Sequence, residues 1–152
     1  MYDAFLSYSH RDKHLAAAIR AAMRRLGTPR RRRSTLRIFR DDTDLAATPE
    51  LWPDIAAALD ASAHLIVIAS PSASRSAYVG DEITHFLAQE PRRPVYVVLA
   101  DGTLVWDRDT GRFDPEVSDA ALPTLAEAFP VEPLVVDVRT SARSRCRPTT
   151  RW

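Results

Sequence analysis

Residues 64–69 read His-Leu-Ile-Val-Ile-Ala. A strand with one wet face would alternate apolar and polar side chains; this run is apolar at five consecutive positions and rich in β-branched residues. It is too short for a buried helix, so it reads as a strand covered on both faces, as in a parallel sheet flanked by helices. Working outward, Tyr2–Tyr8, Leu36–Phe39, Pro94–Ala100 and Leu134–Val138 have the same continuous apolar character. Helical patterns lie between them. Leu15, Ile19, Met23 and Leu26 recur on one face, and Gly27 is a natural stop. Thr48-Pro49-Glu50 offers an N-cap, a first-turn proline and an early acid, followed by Trp52, Ile55 and Leu59 as an inward stripe. Val79, Ile83 and Phe86/Leu87 mark a third helix, begun near Ser74 or Ser76 and ended before Pro91. Strands alternating with helices predict an α/β domain with a parallel sheet and right-handed crossovers. After the fourth strand, Thr103–Trp106 and Phe113 flank Asp109-Thr110-Gly111, which predicts a small hairpin. Pro123 opens a short helix reaching Phe129.

The chain of 152 residues suits one domain with a real core. Its apolar fraction of 45% and charged fraction of 27% are those of an ordinary soluble protein. No run approaches the length of a transmembrane helix. The opening MYDAFLSYSHRD lacks the order of a signal peptide. A lone Cys146 excludes an internal disulfide and a cysteine metal site. A cytosolic (cytoplasmic) location is expected. The net charge of +1 conceals a segregation: residues 1–40 carry eleven Arg and Lys against Asp3 and Asp12, residues 41–138 are acidic, and residues 139–152 hold five Arg and no acid. With no nucleic-acid motif in the chain, the Arg30–Arg33 run reads as a solvated loop rather than a nucleic-acid or membrane surface. Domain limits of 1–140 are expected, with 141–152 a basic tail or linker start.

Open parallel sheets bind ligands beyond the carboxyl ends of their strands. The loops there are Ser7–Arg11, Arg40–Thr48 and Ser70–Ser76. The first offers Tyr8, Ser9 and His10; the second Arg40, Asp41, Asp42 and Asp44; the third Ser70, Ser72, Ser74 and Ser76. The third loop leads into the helix bearing Tyr78 and Glu82, four apart and so on one face. That face is offset from Val79 and Ile83, which predicts a Glu82 at the surface, open to solvent or a cleft. Taken alone, Glu82 also reads as an early-helix acid favoured by the macrodipole, Arg40-Asp41-Asp42 as a solvated turn, and His10 as a loop hydrogen-bonder. His14, His64 and His85 lack metal-ligand spacing and read as structural, and Trp52 reads as core. No GxGxxG, P-loop, HExxH or GxSxG occurs.

Together these boxes resemble the TIR domain family. Tyr2-Asp3-Ala4-Phe5-Leu6-Ser7-Tyr8-Ser9 is similar to its opening box. Leu36-Arg37-Ile38-Phe39-Arg40-Asp41-Asp42 with Leu45 resembles the second strand and the BB loop. Ser70-Pro71, then Ser76-Ala77-Tyr78-Val79-Gly80-Asp81-Glu82-Ile83, resembles the S-x-W-V-x-x-E motif, with Tyr78 where Trp is usual. Asp101-Gly102 and Val105-Trp106-Asp107 match a later box of bacterial members that head multidomain proteins.

The resemblance implies a flavodoxin-like five-stranded sheet in the order 2-1-3-4-5 with helices on both faces. It implies an NAD+ glycohydrolase or cyclase in which Glu82 is catalytic, with Tyr8, Ser9, His10, Arg40, Asp41, Ser70 and Tyr78 around the substrate. NAD+ is then the substrate, and neither a further cofactor nor a metal is called for. Asp42, Asp44 and Leu45 of the BB loop would mediate self-association, filamentous where head-to-tail contacts do not close, and a composite site would form between two domains. The effector role in a bacterial antiphage system follows from the same likeness. The alternatives are a non-catalytic TIR adaptor and a receiver-like signalling domain; the latter needs a late lysine, whereas the only lysine is Lys13.

Overall fold

The fold is organised around β3 (Leu65–Ala69), whose five residues are all buried. The computed structural model describes residues 1–26, 37–40, 51–89 and 91–139. On one side β3 pairs in parallel with β1 (Ala4–Ser7), which pairs in parallel with β2 (Ile38–Arg40). On the other it pairs in parallel with β4 (Val95–Leu99), which is followed by the last strand of the sheet, β7 (Val135–Asp137). The order is β2-β1-β3-β4-β7, which is 2-1-3-4-5 for the strands of this sheet. Each strand begins or ends within about two residues of the apolar run that announced it.

The pleat divides the interior into two cores. Phe5, Leu65, Val67, Val97 and Leu99 face α2 (Trp52–Asp60) and α4 (Ala77–Leu87), and pack on Ile55, Leu59, Val79, Ile83 and Phe86. Ala4, Leu6, Ile66, Ile68 and Val98 face the opposite way, toward Leu15, Ala16, Ile19 and Met23 of α1 (Lys13–Leu26). Both faces are therefore helix-covered, which is why the inner strands carry almost no polar residues. The described part of the second helix begins at Trp52, with Pro53 in its first turn; Thr48-Pro49-Glu50 lies outside the described residues. Arg93 pins the end of this helix to the start of β4. Its guanidinium donates to the carbonyls of Leu59 at 3.0 Å, Asp60 at 3.2 Å and Ser62, and lies 4.1 Å from the Phe86 ring centre.

The excursion after β4 is a two-stranded antiparallel hairpin, β5 (Trp106–Asp107) and β6 (Arg112–Phe113), with Gly111 at φ +65 in its turn. Phe113 anchors it in the larger core, edge-on to Trp106 and Phe129. Pro123–Glu127 form a 3-10 turn rather than an α-helix. Among the described residues no helix is long and apolar enough to cross a membrane.

Candidate functional site

The carboxyl ends of β1 and β3 each present a serine, and each serine donates to a carboxylate. Ser7, the last residue of β1, is 1% exposed, and its Oγ donates to Oε2 of Glu82 on α4. Glu82 is itself only 8% exposed, which corrects the expectation of a surface position. Its burial follows from the spacing: Val79, Glu82, Ile83 and Phe86 are the i, i+3, i+4 and i+7 positions of one stripe, and all four are buried. The pairing with Tyr78 was therefore the less telling one. Tyr78 is 48% exposed, while Glu82 turns inward to the strand end.

The second pair lies at the end of the neighbouring strand. Ser70, just past β3, donates its Oγ to Oδ2 of Asp12 at 2.6 Å and accepts from the amide of Ala73 at 3.0 Å. That second bond caps α3 (Pro71–Ser74), a four-residue helix inside the segment expected to be a plain loop. Asp12 closes the 3-10 turn His10–Asp12 that leads into α1. Burial pushes its carboxyl pKa above the ordinary value, the Ser70 hydroxyl opposes the shift, and the negative charge of Asp101 adds to it. Neither Ser7 nor Asp12 was among the expected site residues. Each contact joins positions far apart in the chain, and no local pattern signals it.

Of the other expected residues, those described lie at or just past the strand ends and the start of α4. Tyr8 and Ser9 follow β1 directly and are partly buried; the Ser9 carbonyl accepts from Asp12 N at 2.8 Å, and His10 is exposed. Arg40 ends β2, in register with Leu6. Asp41, Asp42, Asp44 and Leu45 lie outside the described residues. Ser76 caps α4 through the amide of Val79. Beyond β4, Gly102 adopts φ +78, and Arg139 Nη1 donates to its carbonyl at 2.5 Å. Arg139 also grips Asp137 at the end of β7, holding that carboxyl at a pKa of about 2. The structural histidines lie elsewhere: His64 Nδ1 meets the Asp3 carbonyl and His85 Nε2 meets Asp60, both at 2.8 Å. Among the described residues, no group of three or more His, Cys, Asp or Glu is placed to hold a metal ion. An open depression lined by Thr84, Leu87, Ala88, Arg92, Pro123 and Thr124 sits toward the C-terminal end of α4 and includes none of the rim residues.

The chain is similar to known proteins in sequence and in fold. The TIR domain profile matches residues 4–115. A protein of Actinoplanes sp. named NAD(+) hydrolase ApTIR is 41% identical over 139 residues, covering 91% of this chain and 19% of that protein. The chain thus spans about a fifth of this relative's length. Among solved structures, the TIR domain of the Toll-related receptor TRR-2 from Hydra magnipapillata superposes with a TM-score of 0.58 at 14% identity, covering 95% of this chain and 97% of that one. The TIR domains of the activated Roq1 resistosome, which directly recognises the effector XopQ, give a TM-score of 0.52 at 20% identity over 74% of this chain and 63% of theirs. At such identities these two structures speak to the fold.

Proposed function

This chain belongs to the TIR domain family, and from that premise we propose that it cleaves the nicotinamide–ribose bond of NAD+, as a glycohydrolase or cyclase activated by self-association. The observation that carries the proposal is Glu82: a carboxylate held at the strand ends of a parallel sheet, where such folds bind ligands. The name of the Actinoplanes relative, NAD(+) hydrolase, supports the substrate.

The chemistry suits a lone carboxylate. As the C1′–N bond breaks, its electron pair moves onto the cationic ring nitrogen and leaves neutral nicotinamide. Positive charge develops on the ribose, as in glycoside cleavage. Glu82 holds the ribose hydroxyls and stabilises that charge as it forms. Water then adds at C1′ and loses a proton, giving ADP-ribose; attack by an adenine nitrogen instead gives a cyclic product. Tyr8 and Tyr78 provide flat walls for the nicotinamide or adenine. Ser9, His10 and Arg40 provide donors for the diphosphate, and Ser70 and Asp41 complete the substrate shell. Asp42, Asp44 and Leu45 serve the association. The biological setting that fits this activity is the effector arm of a bacterial antiphage system.

The test is Glu82→Gln. Glutamine keeps an oxygen acceptor for Ser7 and removes the charge. NAD+ consumption by concentrated protein, followed as nicotinamide and ADP-ribose isomers, is expected to fall at least a few hundredfold, the scale of one lost preorganised electrostatic contact. Undiminished turnover would sink the assignment of Glu82. A wild-type protein that spares NAD+ under every assembly condition would leave an adaptor, a module that only joins other TIR domains, as the function.

A further inference from the structure

We propose that Ser7 is a positioning residue for the reaction: its hydroxyl, fixed at the end of β1, aims the Glu82 carboxylate of α4 at the ribose. This rests on the NAD+-cleaving function proposed above. Three features single out Ser7. It is the polar exception in a strand otherwise composed of Ala4, Phe5 and Leu6, and all four residues are buried. Its hydroxyl reaches across 75 positions of sequence to the helix that carries Glu82. Its own position is fixed by the sheet, since β1 is hydrogen-bonded on both sides and Ser7 is in register with Val67.

The physical need is clear from the surroundings. Glu82 shares its helical stripe with Val79, Ile83 and Phe86, where a carboxylate is costly unless hydrogen-bonded. A glutamate side chain also has several rotatable bonds, and a carboxylate free to rotate would stabilise the developing charge poorly. A hydroxyl donating to Oε2 limits that freedom and forms a charge-assisted hydrogen bond. The strand supplies the precision, because a strand end moves less than a loop. Ser7 itself does not touch the substrate in this arrangement; it acts through Glu82.

A purely structural serine would merely satisfy a buried acid, and kinetics separate the two roles. Wild type, Ser7→Ala, Ser7→Thr, Glu82→Gln and the Ser7→Ala/Glu82→Gln double variant are compared as concentrated proteins with NAD+, alongside thermal unfolding. Ser7→Ala is expected to lower kcat about 10- to 100-fold, the range for one hydrogen bond to a charged group, with KM moving less than about threefold. Ser7→Thr, which keeps the hydroxyl and suits a strand, is expected to restore kcat to within about threefold of wild type. If threonine's extra methyl prevents folding, Ser7→Cys, close in size but a weak donor, is expected to fold and show the alanine deficit. In the Glu82→Gln background, Ser7→Ala is expected to cost little more, since the two residues act as one unit. Wild-type kcat in folded Ser7→Ala, or the same loss with and without Glu82, overturns the role of Ser7 while leaving the NAD+-cleaving function standing. An inert wild type overturns that function, and the role of Ser7 with it.

Discussion

Asp12 and Glu82 both meet a serine hydroxyl at a strand end, yet their settings differ. Asp12 is half-buried, and its pKa is raised by burial first and by Asp101 last, against the lowering effect of Ser70. A carboxyl with a raised folded-state pKa favours the folded state while protonated. That contribution is present below the unfolded value of 3.8 and is lost as pH rises through the higher folded value. Asp12→Asn keeps an oxygen for Ser70 and cannot ionise. The variant is expected to unfold at a higher temperature than wild type at pH 7, with the gap closing below about pH 3.8. Thermal melts from pH 3 to pH 7 check this; a variant less stable than wild type at pH 7 and equal to it near pH 3 would mean that the negative charge is needed. At this scale the sequence showed Glu82 through a family motif, and the i, i+3, i+4, i+7 arithmetic that buries it was also there to be read. The partners were not. Ser7–Glu82 and Ser70–Asp12 join positions 75 and 58 apart, and only the tertiary packing of helices and turns on the sheet brings them together.

Among the elements, the strands were the plainest in the sequence, because a doubly covered strand must be apolar throughout. The short α3 was the least visible. Four residues give no helical period, and its cap, Ser70, looks like any other serine in a serine-rich turn. The hairpin was foreshadowed by its glycine and aromatic flanks. What lay beyond reach was how closely the segment after β4 approaches α3. A Cβ built on Gly102 would lie 2.5 Å from Asp119 Oδ1 and 2.8 Å from Pro71 Cγ, at a φ of +78. That aspartate oxygen is already engaged by the amide of Thr103 at 2.6 Å, and a proline ring cannot swing aside. Gly102→Ala is therefore expected to cost about 1–3 kcal/mol, a fall of several degrees in the thermal midpoint. Gly111→Ala, where no atom lies within 4 Å, is expected to cost less, since only its φ of +65 opposes it. Equal midpoints for the two variants would contradict the close packing at Gly102.

For the molecule as a whole, charge and topology carry different messages. The parallel sheet followed from the strand–helix alternation and its order from the family likeness, whereas the segregation of basic and acidic stretches supports the proposed association. If association completes the NAD+ site, substitutions at Asp44 or Leu45 are expected to lower turnover more at low protein concentration than at high, because excess protein offsets a weaker contact. A dilution series of Asp44→Ala and Leu45→Ala against wild type reads this directly; parallel losses at every concentration would assign those residues to catalysis instead.

The two serine–carboxylate pairs have one more consequence. Glu82 arrives from the helices on one face of the sheet, whereas Asp12 leads into α1 on the other. The rim is thus laced from both sides, like a seam whose stitches enter from opposite cloths. A partner that nudges α1 tugs first on Ser70 and the small helix it caps. Pressure on α4 is felt at Glu82 at once.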